Sequence, residues 1–423
     1  MRVENFLAAN KLRTADINID DLVTVFTEEM DFGLAGNPSS LRMIPTYIEA
    51  ENEFLTDTPV LAIDAGGTNF RTALITFGSD GKVHSGQIGR FIMPGLDREI
   101  SANKFFETIA EYIAPMAEKT ERIGFCFSYP TEILPSKDGR LLQFCKEIQA
   151  PEVVGQLIGK RLLETLGTPS KKIVLLNDTV ATLLAGKSAS QGRKYDSYIG
   201  YILGTGTNTC YIEQNRNITK NQALDKSASQ IINVESGNFK KGPRSLLDRE
   251  FDSTTSDPGN YSFEKMFAGG YFGGLCLSIL KSAASEGIFS DSVPEKLMAI
   301  SDLTSEEANN FLQEKEGRLD IAFNDRESGD AARIIIDCLI DRAACLAAAN
   351  IAGPVLKTGK GKNPGNPILV TIEGTAFYRL HNLKSRFEDY LDSYLDGERK
   401  RYLEFTEVEN SSLLGAALAG LID

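Results

Sequence analysis

Tryptophan is absent from the 423 residues, and histidine occurs only twice, at His84 and His381. The six cysteines (Cys126, Cys145, Cys210, Cys276, Cys338 and Cys345) include no C-x-x-C pair. So sparse a set of sulfur and imidazole ligands argues against a structural zinc site and against a disulfide scaffold. Long apolar runs are missing as well. The longest, Leu413 to Ile422, is about half of the ~20 residues that a membrane-spanning helix needs. No apolar stretch behind basic residues opens the chain, so no signal peptide is expected. The sequons at Asn217, Asn260 and Asn410 then read as chance matches in a cytoplasmic protein. Positive charge is in deficit, with 45 Lys and Arg against 58 Asp and Glu. The resulting net charge of −13 repels nucleic acid and anionic membranes, and neither is expected as a partner.

What is present is ordinary in bulk and specific in detail. Apolar residues at 42% and charged residues at 24% fit a folded globular protein. The length calls for two domains. Two segments, Val60 to Phe77 and Tyr198 to Glu213, share one design: an apolar strand, a glycine-threonine turn carrying an asparagine, and a second apolar strand. Each reads as a hairpin whose turn lets backbone N–H groups approach a phosphate, because glycine has no Cβ to hold the anion off. Two such hairpins point to a duplicated fold that grips a polyphosphate from both sides.

Leu22, Val23, Phe26 and Met30 have helical spacing. From Pro59 to Asn177 strands alternate with a helix: Val60 to Asp64, Phe70 to Phe77, helix over Lys104 to Glu118, then strands at Arg122 to Phe127 and Ile173 to Leu176. Such alternation predicts an α/β layer structure. Further helices are expected over Phe263 to Ala284, Ala331 to Ile351 and the tail from Leu413, with strands at Ile231 to Glu235 and Ile368 to Ile372. The lysine- and glycine-rich stretch Lys357 to Pro367 is not a P-loop, since Thr358 stands where the second glycine after Gly353 is required. Gly204 does not open a dinucleotide fingerprint either, because Thr209 stands at the third glycine position.

Asp64 closes an apolar strand directly before the first turn. It is either a turn aspartate bonded to its own backbone or a carboxylate placed to meet a hydrated Mg²⁺ on a bound phosphate. Asp178 follows a buried strand and precedes a helix. An N-cap and a base that takes a proton from a hydroxyl nucleophile are both compatible with that position. Asn233, Glu235 and Glu264 lie in amide- and glycine-rich surroundings that suit a polyol, although a solvated loop carboxylate is the plain reading of each.

In order along the chain, LAIDAGGTNFRTALITF, FCFSYP, LLNDTVATLLAG, GYILGTGTNTCYIE, INVESGNF, DPGNYSFEKMFAGGYFGGL and TIEGTAFYRLH resemble the motifs of the hexokinase family of sugar kinases, within the actin-like ATPase superfamily. The resemblance implies two ribonuclease-H-like α/β domains with mixed sheets around a hinged cleft. Residues 59–177 would form the small domain, with helix 411–423 packing on it, and 1–58 with 178–410 the large one. It implies transfer of the γ-phosphoryl group of ATP to the 6-hydroxyl of glucose or a related hexose, with Mg²⁺, by a monomer or homodimer. Asp178 would be the general base, and Arg71 and Lys146 would assist the chemistry. Ser128, Lys146, Asn177, Asp178, Asn233, Glu235 and Glu264 would hold the hexose. Asp64, organising the metal through water, would face the nucleotide phosphates together with Gly66, Gly67, Thr68, Asn69, Gly204, Thr205, Gly206 and Thr207. Gly374, Thr375 and Ser412 would lie near the nucleoside.

The chain departs from the family pattern at Cys145, where threonine is usual, at Glu373, where aspartate is usual, and at Ser411-Ser412-Leu413, where a glycine-serine-glycine turn is usual. Two other readings stand beside the kinase. A hydrolytic actin-like ATPase would share the hairpins but has no need of Asn177-Asp178 or Asn233-x-Glu235. A sugar sensor would keep the cleft without turnover.

Overall fold

The computed structural model describes residues 2–49, 52–144, 148–190 and 192–422. Lys146 and Cys145 lie outside them. Two sheets carry the fold, and the two have the same plan. In the first, Pro59–Gly66 pairs antiparallel with Asn69–Phe77, which pairs with Val83–Ser85; on its other side Pro59–Gly66 pairs parallel with Arg122–Phe127, and that strand with Lys172–Leu176. In the second, Ser197–Leu203 pairs antiparallel with Thr207–Gln214, which pairs with Ser229–Asn233; on its other side it pairs parallel with Ile368–Glu373, and that strand with Leu403–Thr406. Each hairpin therefore supplies two adjacent strands of its sheet, and a helix follows the last strand in both: Asp178–Ala189 and Ser411–Leu421. The duplication expected from the twin hairpins and the two ribonuclease-H-like α/β units is the architecture observed.

The two matching helices pack on each other and fill the space between the sheets. Ser411–Leu421 is apolar nearly all round, and Asp178–Ala189 buries Val180, Leu183 and Leu184 together with Thr179 and Thr182, so both need burial on most sides. Val180, Leu183, Ala416 and Ala419 share one core with Val60, Ala62 and Cys126 of the first sheet and Cys210 and Ile231 of the second. Their approach is close because the contacts are glycines. A Cβ on Gly415 would stand 1.9 Å from the Ala181 carbonyl oxygen, and one on Gly200 2.4 Å from that of Thr179. A second core lies under the other face of the first sheet, around Phe105, Phe125 and Ile158, and a third and larger one surrounds the long helix Arg326–Thr358.

The N-terminal apolar stripe is an α-helix, Ile19–Ala35, with Leu22, Val23, Phe26 and Met30 buried in the large core. Asn18 caps its start by accepting from the backbone N–H groups of Asp20 and Asp21, and Gly36, at φ 76°, ends it. One expected helix is broken. The stretch Phe263 to Ala284 begins as a 3₁₀ turn, Glu264–Met266, and the α-helix starts only at Gly269. The reason is tertiary: the N–H groups of Gly269 and Gly270 donate to the carbonyls of Gly204 and Thr205, both at 2.8 Å, which docks the helix start onto the second hairpin turn. The strand expected to reach Glu235 stops at Asn233, and Glu235 takes φ 60°.

Candidate active site

The first sheet delivers four expected residues to one edge. Asp64 lies beside Cys126 on the parallel strand, and Cys126 beside Leu176 on the next. Asp64, Ser128 and the pair Asn177-Asp178 thus stand at the C-terminal ends of three neighbouring strands, where ligands bind in sheets of this kind. Asp64 is buried, and its Oδ2 accepts from Nε of Arg71 at 2.9 Å and from a second guanidinium nitrogen. Arg71 also donates to Asn410 at 3.3 Å and lies 3.5 Å from the Ser412 hydroxyl, so Ser412 belongs to the Arg71 side of the site. Ser128 N–H donates to Ala65, and a Cβ on Gly66 would come within 3.2 Å of the Ser128 hydroxyl. Gly67 completes a two-residue turn with Thr68. Its φ is 56° and the space beside it is open, the arrangement in which a glycine lets an anion reach the backbone.

The cap at the third strand end belongs to Asn177. Its side chain accepts from Thr179 N–H at 2.9 Å, while Asp178 is already the first helical residue. Oδ1 of Asp178 accepts from Thr179 N–H at 2.7 Å and its hydroxyl at 3.2 Å; Oδ2 takes no partner among the described residues. Burial pushes the Asp178 carboxyl up to about 6, and the neighbouring Glu373 and Asp64 carboxylates act in the same direction. The sign of the stability effect follows. The folded protein binds this proton more tightly than the unfolded chain, so stability is full below the unfolded value near 4 and is lost as pH rises through 6. Asp178→Asn is expected to raise stability by roughly 1–3 kcal/mol at pH 8 and to leave it unchanged at pH 3, as thermal melts at the two pH values would show.

The second sheet brings a chain of amides to the same place. Asn208 Nδ2 donates to Asn233 Oδ1 at 2.8 Å and to Asn177 Oδ1 at 3.4 Å, and Asn233 donates on to Glu235 at 2.8 Å. One cavity draws on both sheets, with Phe127, Leu176 and Asn177 on one side and Asn233 and Glu235 on the other. Glu264 reaches the second hairpin from below, where its Oε2 accepts from Thr207 N–H at 2.8 Å. Burial, with Glu235 nearby, pushes the Glu264 carboxyl up to about 7.

A separate cavity of about 610 Å³ opens beside the second hairpin. Gly204 and Thr205 form one wall, Gly269 and Gly270 another, and Thr375 a third, with Ser305, Asn309 and Gln313 opposite. Gly374, at φ 122°, has no room for a side chain, since a Cβ would stand 2.3 Å from Leu203. Gly204, Thr205 and Thr375 line this one cavity, and Gly374 lies against Gly204 at its edge. Asn208, Asn309 and Gln313 were not anticipated. Asn208 is the asparagine of the second turn motif, so its signal was in view; the other two lie on a stretch with no motif.

Two models of the hexokinase family match the chain, one over residues 198–422 and one over residues 3–188. The chain belongs to the hexokinase family. It is accordingly a phosphotransferase with a hexose acceptor. Hexokinase-1 of Nicotiana tabacum is 29% identical over 442 aligned positions, covering 96% of this chain and 88% of the tobacco protein. Hexokinase-1 of Spinacia oleracea is also 29% identical, covering 93% and 85%. Among solved structures, the hexokinase from Schistosoma mansoni in complex with glucose superposes with a TM-score of 0.80 at 24% identity, over 99% of this chain and 98% of that one. At that identity the likeness establishes the actin-like two-unit fold. No helix among the described residues is long and apolar enough to cross a membrane.

Proposed function

We propose that this hexokinase transfers the γ-phosphoryl group of ATP to the 6-hydroxyl of glucose or a closely related hexose, with Asp178 as general base. The observation that carries the reading is Asp178 itself: a carboxylate with one oxygen left over, relieved of the cap role by Asn177, beside the chain Asn177, Asn208, Asn233 and Glu235. Its raised carboxyl is ionised at neutral pH and basic enough to take a hydroxyl proton. Ser128, Asn177, Asn233, Glu235 and Glu264 hold the sugar by directed hydrogen bonds in this reading, with Lys146 contributing from the segment not described. The turns Gly66 to Asn69 and Gly204 to Thr207 receive the phosphates, and Gly374 and Thr375 border the nucleoside.

The donor set at Asp64 suits Mg²⁺. That ion keeps much of its water and is held by one or two carboxylates plus substrate phosphates. A single buried carboxylate beside a glycine turn meets that description. When bound, the ion would neutralise charge on the phosphates. Arg71, held by Asp64, Asn410 and Ser412, stands beside that carboxylate and would assist in balancing the charge of the bound phosphates in this reading.

In this reading residues 59–177 with helix 411–423 form the small domain and 1–58 with 178–410 the large one, and they close on the sugar. Closure excludes water, which would otherwise compete as the nucleophile. Small-angle scattering is expected to give a smaller radius of gyration with glucose than without it, and an unchanged value would remove closure from the mechanism. The function itself is tested by ADP release with glucose, mannose, fructose or N-acetylglucosamine and without sugar. Equal release with and without every hexose would favour a hydrolytic ATPase, and none at all a sensor.

A further inference from the structure

Glu264 is built into the phosphate turn more tightly than a sugar ligand needs to be. Its Oε2 accepts Thr207 N–H at 2.8 Å, and the slot that receives the carboxylate is made by two glycines. A Cβ on Gly206 would stand 2.6 Å from Oε2, and one on Gly237 2.9 Å from the same atom. Gly206 and Thr207 belong to the second hairpin turn, and Gly237 lies two residues beyond Glu235, at the end of the amide chain. The carboxylate thus touches both halves of the site at once. It also consumes a backbone donor that a phosphate on this turn would use, and it sets an anion where that phosphate would approach.

We infer that Glu264 couples the two substrates: in the sugar-free protein it fills the Thr207 N–H and opposes the nucleotide phosphates, and a sugar hydroxyl beside Glu235 draws it off the turn and admits them. The inference rests on the reading of the cleft as a hexose site. The raised carboxyl of Glu264 agrees with it, since proximity to Glu235 and burial already strain the charge where it sits. A glutamate side chain can turn about its own bonds from the turn toward a hydroxyl, and no backbone rearrangement is required.

Equilibrium binding of the β,γ-imido analogue of ATP, with Mg²⁺ and with or without glucose, tests this in the wild-type chain, Glu264→Ala and Glu264→Gln. The wild type is expected to bind the analogue at least about tenfold more tightly with glucose than without. Glu264→Ala is expected to gain about tenfold in sugar-free affinity and to respond to glucose by less than about threefold. Glu264→Gln keeps the shape and removes the charge, so it should also bind the analogue more tightly than the wild type when no sugar is present; it guards against an alanine variant that folds poorly. If both variants bind sugar-free analogue as the wild type does, the coupling is absent, and Glu264 is a sugar ligand only. A wild type that binds the analogue equally with and without glucose also overturns the inference. The hexose reading fails by a different measurement, a wild-type chain that releases no ADP with any hexose, and the sugar-free affinities are read independently of it.

Discussion

Asp178→Ala should lower turnover by about 10² to 10⁴ while sugar and ATP still bind, because only proton transfer in the reacting complex is lost. The geometry makes this a clean substitution. The helix keeps its cap, since the Asn177 side chain still accepts Thr179 N–H when the Asp178 carboxylate is removed, and alanine is well tolerated at a first helical position. Removing a half-buried carboxylate also removes an unfavourable charge, so the variant should fold at least as well as the parent. The wild-type rate should fall as pH drops through about 6, where Asp178 takes up its proton and ceases to be a base, and the residual rate of the variant should lack that limb. Near-normal turnover in a folded variant would return Asp178 to a structural role. Asn177→Ala is the contrasting case: loss of the cap should cost stability by about 1 kcal/mol.

The architecture was legible where the signal is local. Alternating apolar residues around a glycine-threonine turn fix a hairpin within about eighteen residues, and each hairpin then seeds a sheet of the same plan. The strand running into Asn177-Asp178 was readable for the same reason. What escaped depends on tertiary contact. The break before Gly269 exists because two N–H groups dock on Gly204 and Thr205, some sixty residues earlier in the chain, and within Phe263 to Ala284 only the pair Gly269-Gly270 marks its place. The assignment of the cap to Asn177 turned on a single residue of register, which spacing does not resolve. Asn309 and Gln313 line the larger cavity because the chain around the short helix Ser305–Leu312 folds against the hairpin turn and Thr375, residues far from it in sequence. Glu264 was legible as a polar residue for a polyol; its grip on Thr207 was not, since the two are joined only by the fold.

Gly124→Ala should be the most damaging substitution away from the chemistry. Gly124 sits in the middle of Arg122–Phe127, paired with Ala62 on one side and Val174 on the other, and the helix Ser411–Leu421 lies directly on it. A Cβ there would stand 1.7 Å from the Ala416 carbonyl oxygen and 2.5 Å from its carbon. Both partners are backbone, one in a strand hydrogen-bonded on both edges and one in a helix, so no rotamer change relieves the clash and the helix must move as a body. The expected loss is about 3 kcal/mol or more, at or beyond the upper end of ordinary overpacking. The displacement has a functional reach as well. The start of this helix carries Asn410 and Ser412 against Arg71, which holds Asp64, and Ser411 donates to Glu373 beside the Gly374 turn. On the opposite face its Gly415 fits against Ala181 of the helix that begins with Asp178. A shift at Gly124 is therefore passed to Asp64, to the Gly374 turn and to Asp178 together. A denaturant midpoint well below that of the parent, with turnover reduced in the fraction that remains folded, is the expected outcome, and a midpoint equal to the parent's would mean that the helix and strand are not packed backbone to backbone.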